Sequence, residues 1–217
     1  MPPSSRNLER LDKKEDQRVR RTRDRLGDAL VELLVEKPFD AITVQHVLER
    51  AGVSRSTFYT HYRDKNDLFL SDVGEFFEGM ATALSRFGDK SERLVPVQEL
   101  FAHIGEARPF YDALVESGRM PDVIQLGQAH FSRGIEQRLK EIPRASTIPP
   151  DRRSAIAHGL AGSLFSLLTW WIQRGMTSSP EEMDKLFHRL GWTGADWRPS
   201  NLDVAVKLRT GKNLGGA

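Results

Sequence analysis

The stretch that decides the fold runs from Thr43 to Leu70 and reads TVQHVLERAGVSRSTFYTHYRDKNDLFL. Thr43 and Ser54 each stand before a run of helix-compatible residues, and each carries an oxygen able to cap the free amides of a first helical turn. Between the two runs lies Ala51-Gly52-Val53, a tight, glycine-bearing turn. Two helices of about two turns each, joined this way, have the sequence form of a helix-turn-helix. On the second of them Phe58 and Tyr62 are four apart and turn inward, which leaves Arg55, Ser56, Tyr59, Thr60 and part of His61 outside.

An outer face made of an arginine, hydroxyls and a phenol is poor as core and good as a surface for a duplex. Arg55 and Ser56 occupy the N-terminal end, which a recognition helix points at base edges, and arginine can pair with both acceptors of guanine. Tyr59, one turn on, can reach a base edge or a thymine methyl. Phosphates need donors spread along the strand rather than one charge. The candidates are Thr43, Ser54, Thr57, Thr60, His61 and Lys65, the last beside the free amides of the helix that Asp64 caps. Gln45, in the first turn of the preceding helix, completes the DNA-facing set.

Outward from this stretch the apolar residues recur at three and four, the period of helices, with no sustained alternation of the strand kind. The spacing predicts a first helix over 15–36, with Val19, Leu26, Leu30, Leu33 and Leu34 on one stripe, Arg18, Arg20, Arg21, Arg23 and Arg25 in its opening turns, and Lys37-Pro38 as its stop. After Asp64 a helix carries Leu68, Val73, Phe76, Phe77, Met80, Leu84 and Phe87 to a break at Gly88-Asp89. Further helices are expected over 92–106, 109–117, 121–141 and 151–175. The last opens at Ser179-Pro180-Glu181-Glu182, a capping box with proline at the first helical position, and is expected to end at Gly191. The class is all-α. Its parts are a flexible arm (1–14), a three-helix helix-turn-helix domain (15–65), a helical effector-binding and dimerisation domain (66–192) and a flexible tail (193–217).

Composition bounds the chemistry. The 217 residues include no cysteine, which removes disulfides, thiolate metal sites and cysteine nucleophiles. Charges nearly cancel, 32 basic against 30 acidic, so DNA binding must come from local placement. Residues 1–65 carry a net charge near +3 and the rest near −1. No His-Glu-x-x-His or acidic ligand tract is present, so neither metal nor cofactor is expected. No apolar leader precedes the first helix, which points to the cytoplasm. Residues 154–173 lack Asp, Glu, Lys and Arg, the length of a membrane span, yet serines, His158 and Gln173 make a buried bundle or interface helix the better reading.

The order G-V-S-[RK]-x-T-[LF]-Y-x-H-[FY]-x-x-K-x-x-L stands here as Gly52 to Leu68, and this segment resembles the DNA-binding part of the tetracycline-repressor (TetR) family of bacterial transcription regulators. Thr60 replaces a frequent second aromatic, and Leu48 a frequent alanine. The resemblance implies a homodimer, an operator with inverted-repeat symmetry, a small-molecule effector bound by the C-terminal domain and a dimer interface made by the last two long helices. Ala155, Gly159, Gly162 and Ser166 form a small-residue side suited to that interface, with Ala161 beside them. Phe101, His103, Arg108, Tyr111, His130, Phe165, Trp170 and Trp171 are the candidates for an effector pocket.

The leading expectation is a regulator, usually a repressor, released from its operator by an effector. A constitutive DNA-binding or architectural factor is the alternative. An enzyme using His130 or His158 as acid and base is the third reading, against which stands the lack of any nucleophile–base spacing, phosphate loop or paired carboxylates.

Overall fold

The computed structural model describes residues 5–145 and 147–195. The helices are α1 (Ser5–Glu36), α2 (Val44–Ala51), α3 (Arg55–His61), α4 (Lys65–Arg86), α5 (Val97–Glu106), α6 (Arg108–Glu116), α7 (Met120–Glu141), α8 (Pro150–Gln173) and α9 (Pro180–Ala195), with 3-10 turns at Phe39–Ala41 and Pro143–Ala145. No strand occurs among the described residues.

Two boundaries differ from the sequence expectation. α1 begins at Ser5, ten residues before the expected start, so the arm assigned to 1–14 is helical from Ser5 onward. Its sequence there, with Leu8, Glu9, Arg10, Leu11, Lys13 and Lys14, is made of strong helix formers without glycine or proline, so nothing stops the helix from extending. Residues 1–4 and the tail beyond Ala195 lie outside the described residues. At the other end α9 passes through Gly191 to Ala195. A Cβ at Gly191 would stand 3.2 Å from Leu160 and 3.3 Å from Leu94. That glycine serves close packing of α9 on α8 rather than helix termination.

The N-terminal unit packs α2 and α3 against α1, with Leu26, Leu30, Phe39, Val47, Phe58 and Tyr62 inside. The larger unit is built around α4, α7 and α8. Two glycines of α7 set the crossings: a Cβ at Gly127 would collide with the ring of Phe165 on α8, and one at Gly134 with the Ala81 backbone of α4. Phe77, Phe131 and Phe165 meet edge to face at the centre, with centroids 5.6–6.0 Å apart.

α5 starts at Val97, not near residue 92: Pro96 stands at its N-cap and disfavours helix at the residue before it, and Arg138 ties down the segment ahead of it. That guanidinium, 4% exposed, donates to the carbonyls of Asp89 (3.0 Å), Ser91 (2.7 Å) and Arg93 (2.9 Å) and pairs with the Asp89 carboxylate at 3.1 Å. Two residues of the expected apolar stripes lie outside the core. Phe87, the residue that ends α4, is 85% exposed, and Val19 lies on α1 where it has run past the body.

Candidate nucleic-acid interface

The caps expected from sequence set the geometry of the surface. Thr43 Oγ1 accepts from the His46 amide at 3.2 Å while His46 Nδ1 accepts from the Thr43 amide at 3.2 Å, a reciprocal capping box. Ser54 Oγ accepts from the Thr57 amide at 3.2 Å. In both caps the hydroxyl oxygen works as an acceptor, and Ser54 Oγ also shares hydrogen bonds with Ser56 Oγ (3.1 Å) and Thr57 Oγ1 (2.8 Å), which gathers three hydroxyls at the start of α3. Gly52 takes the left-handed conformation (φ 61°) that closes the turn, and Arg25 of α1 locks it by donating to the carbonyls of Ala51 and Gly52.

Phe58 and Tyr62 are buried, and Arg55, Ser56, Tyr59 and Thr60 are exposed with His61 at the edge. Tyr59 leans its ring on the edge of Phe58 (centroids 5.3 Å) and is half exposed. Arg55 is steadied across the turn, since its Nη2 donates to Gln45 Oε1 at 3.2 Å while Gln45 Nε2 donates to Glu49 at 2.8 Å. Gln45 and Arg55, ten residues apart in sequence, thus form one outward unit. The Thr60 hydroxyl donates to the Ser56 carbonyl at 3.0 Å.

Lys65 is placed differently from the open phosphate donor that its sequence position suggests. Its Nζ donates to the carbonyls of Phe39 (2.6 Å) and Ile42 (2.7 Å) and lies 4.5 Å from the Phe39 ring centroid. Burial lowers the ammonium pKa below the ordinary lysine value. The side chain fastens the start of α4 to the loop that launches α2.

α1 adds a part of the surface that the sequence pattern does not single out. Arg18, Arg21, Thr22 and Arg25 line a groove of about 410 Å³ with Gly52, Val53, Ser54 and Thr57. Arginines at 18, 21 and 25 recur at three and four, so they share a helix face. That signal was present in the sequence, but nothing in it says which face α3 would meet. Arg23, on another side of α1, donates to Tyr62 Oη (3.1 Å) and Ser71 Oγ (3.1 Å) and pairs with Glu75, tying α1 to α3 and α4.

The candidate effector residues do not all meet. His103 and Tyr111 line a common cavity. Phe101 and Trp171 pack on each other in the core (centroids 5.0 Å), with Trp171 Nε1 donating to the Ser178 carbonyl. Phe165 is in the central aromatic cluster, Arg108 pairs on the surface with Asp112, and Trp170 is exposed. His130 Nδ1 sits 3.1 Å from Arg133, and His158 Nδ1 3.0 Å from both Ser132 Oγ and the Ser154 carbonyl. Of the candidate interface positions, Ala155, Gly159 and Ser166 are exposed and Gly162 is half-buried, while the neighbouring Ala161 belongs to the core.

A short capped helix set by a glycine turn against a second one, backed by a larger helical body, defines a helix-turn-helix regulator. Residues 26–71 match the profile described as bacterial regulatory proteins, tetR family, and residues 96–191 that of a transcriptional regulator C-terminal region. The chain belongs to the tetR family of bacterial transcriptional regulators, and it is a regulator rather than an enzyme.

Relatives include the uncharacterized helix-turn-helix regulator YxbF of Bacillus subtilis, 22% identical over 73% of this chain and 41% of its own length. Others are the regulator AcrR of Shigella flexneri, 26% identical over 74% of this chain and 82% of AcrR, and the activator FasR of Mycolicibacterium smegmatis, 23% identical over 81% and 85%. A TetR regulator from Streptococcus agalactiae shares the fold with a TM-score of 0.56 at 23% identity, covering 83% of this chain and 98% of that one.

Proposed function

We propose that this regulator reads an inverted-repeat operator as a homodimer and acts as a repressor released by a small-molecule effector. Arg55, Ser56 and Tyr59 read base edges, with Gln45 steadying Arg55. Thr43, Ser54, Thr57, Thr60 and His61 hold phosphates, joined by the α1 arginines, and Lys65 keeps the surface in shape. The observation that carries the DNA reading is the groove in which the α1 arginines meet the capped start of α3, with Gln45 of α2 bonded to Arg55, while the apolar residues of the same helices face the core.

The exposed side of α8 supports the dimer. α8 is long and apolar enough to cross a membrane, with a mean hydropathy of 1.3 in its most apolar window, and 33% of that window is buried within the chain. Among the described residues no neighbour comes within 4 Å of a Cβ built at Gly159 or Gly162, and Trp170, Leu186 and Leu190 are exposed on α8 and α9. A second copy of the chain covers this surface. A cavity beside α1 favours effector control over constitutive binding. The site of action is the cytoplasm, on the nucleoid.

The test is selection of genomic fragments by the purified protein, footprinting of what it selects and repetition across salt. An inverted repeat protected as two half-sites about one helical turn apart is the expected result. Uniform, salt-sensitive coverage without a preferred site would replace this reading with the architectural one. Transcription from a recovered promoter, with and without the protein, fixes the sign, and activation of the FasR kind would overturn repression.

A further inference from the structure

The cavity next to α1 has a chemistry of its own. It encloses about 220 Å³ where α4, α5, α6 and α7 meet the C-terminal part of α1 at Val31, and its wall is mostly apolar. Asp72 is the wall's one carboxylate, and no lysine or arginine lines it. Among the described residues that carboxylate has neither a hydrogen bond nor an ion pair. Arg23 attracts it from α1, but that guanidinium is bonded to Tyr62, Ser71 and Glu75. Burial and the charges of Asp28 and Asp24 push the Asp72 carboxyl up to about 6. A charge held this way calls for a partner.

The rest of the wall suits a partner of one kind. Phe76 stacks on His103 with centroids 4.5 Å apart, and Phe110 meets Tyr111 at 79°. Burial lowers the His103 pKa, against the pull of Glu106, and so disfavours a positive charge on that ring. Tyr111 is 5% exposed, and its hydroxyl has no hydrogen-bond partner among the described residues. Aromatic rings around a carboxylate favour a cation with an apolar body, because ring faces attract positive charge. An anion would be repelled by the Asp72 charge, with only the Tyr111 hydroxyl and the His103 ring to donate to it, and a neutral ligand could give the carboxylate a hydrogen bond but not an opposite charge.

We propose that this cavity binds a small organic cation, an amine or quaternary ammonium on an apolar body, with its charge against Asp72 and its body among Phe76, Phe110 and Tyr111. The regulatory consequence rests on the effector reading above, whereas the binding itself does not. Asp72 also sits where α1 is closest, since a Cβ at Gly27 would collide with its carboxylate. A ligand that draws on Asp72 therefore acts on the contact that seats α1, and α1 carries the arginine groove beside α3.

The full chain is titrated calorimetrically with benzyltrimethylammonium and with neopentylbenzene, its neutral carbon isostere. The expected result is saturable binding of the cation, weakened about tenfold or more in Asp72→Asn, with weaker binding of the isostere that this variant leaves unchanged. Phe110→Ala, which keeps the carboxylate, also weakens the cation several-fold. Circular dichroism confirms that both variants are folded.

Equal affinity of the cation for wild type and folded Asp72→Asn would overturn the proposal. So would an isostere that binds as tightly as the cation, or a cation that does not bind at millimolar concentration. DNA release is read separately: binding without release leaves the ligand class standing and removes the effector reading, while release without dependence on Asp72 does the reverse.

Discussion

On the proposed DNA surface Arg55 and Arg21 are assigned different work. Arg55 stands at the recognition-helix end, steadied by Gln45, while Arg21 lies on α1 beside the cap of α3. Arg55→Ala should cost about 1–3 kcal/mol at one base position and relax preference there. Arg21→Ala should weaken all DNA alike and flatten the salt dependence by about one phosphate. Binding to operator and scrambled DNA, each across salt, separates the two. Equal selectivity in Arg55→Ala and wild type removes the base-reading role.

Lys65 belongs to another class. Loss of its bonds to the carbonyls of Phe39 and Ile42 in Lys65→Ala should cost about 1–3 kcal/mol in urea unfolding, with DNA binding lost in step. Caps, turn and recognition face were legible because each is local, set by residues three or four apart. The latch was not, because it joins Lys65 to a loop more than twenty residues earlier, and a lone lysine at a helix start reads equally well as a phosphate donor.

At the scale of elements, close helix approaches carry the design, and glycines mark them. α1 meets α4 at Gly27 and Asp72, α7 meets α8 at Gly127, and α4 meets α7 at Gly134. Read along the chain, these glycines only blur helix ends, since their meaning lies in a partner helix about forty to fifty-three residues away. The same limit explains the pocket candidates. Aromatic residues at helical spacing look alike whether they fill a core, as Phe101 and Phe165 do, or line a cavity, as Tyr111 does.

The approach at Gly27 also gives stability a pH dependence. The Asp72 carboxyl is at about 6 in the folded chain against an ordinary 3.8, raised by burial, Asp28 and Asp24 and opposed by Arg23. A raised acid is harmless when protonated in both states, so no cost falls below the ordinary value. The cost grows as pH climbs from there and is complete above about 6. Asp72→Asn should therefore raise stability at pH 7.5 by up to about 3 kcal/mol, with the gain vanishing below pH 4. Urea midpoints of the two proteins across pH 3.5–8 check this. A gain that is constant with pH would mean that the carboxylate is not under strain from its charge.

For the whole molecule, the decisive quantity is the apolar surface that one chain leaves open. α8 buries Ala157, Ala161, Leu164, Phe165, Leu168 and Trp171 on one side, and its other side presents Ala155, Gly159, Ser166 and Trp170. α9 likewise buries Met183 and Phe187 while Leu186 and Leu190 stay exposed. Small residues without neighbours let a second pair of helices approach closely, and the exposed leucines and Trp170 supply area whose burial favours association at about 25 cal/mol per Å².

A charged or bulky residue at Gly159 should split the pair without unfolding either copy, because among the described residues no atom lies within 4 Å of a Cβ built there. Gly159→Arg should thus give a folded monomer by sedimentation, with unchanged helicity. Its affinity for a single half-site should stay close to that of wild type, while affinity for the full inverted repeat should fall by a factor of 10² or more (roughly 3 kcal/mol), since two recognition helices no longer bind as a linked unit. A Gly159→Arg protein that sediments as a dimer and protects the whole repeat would place the interface elsewhere and leave the open side of α8 to another partner.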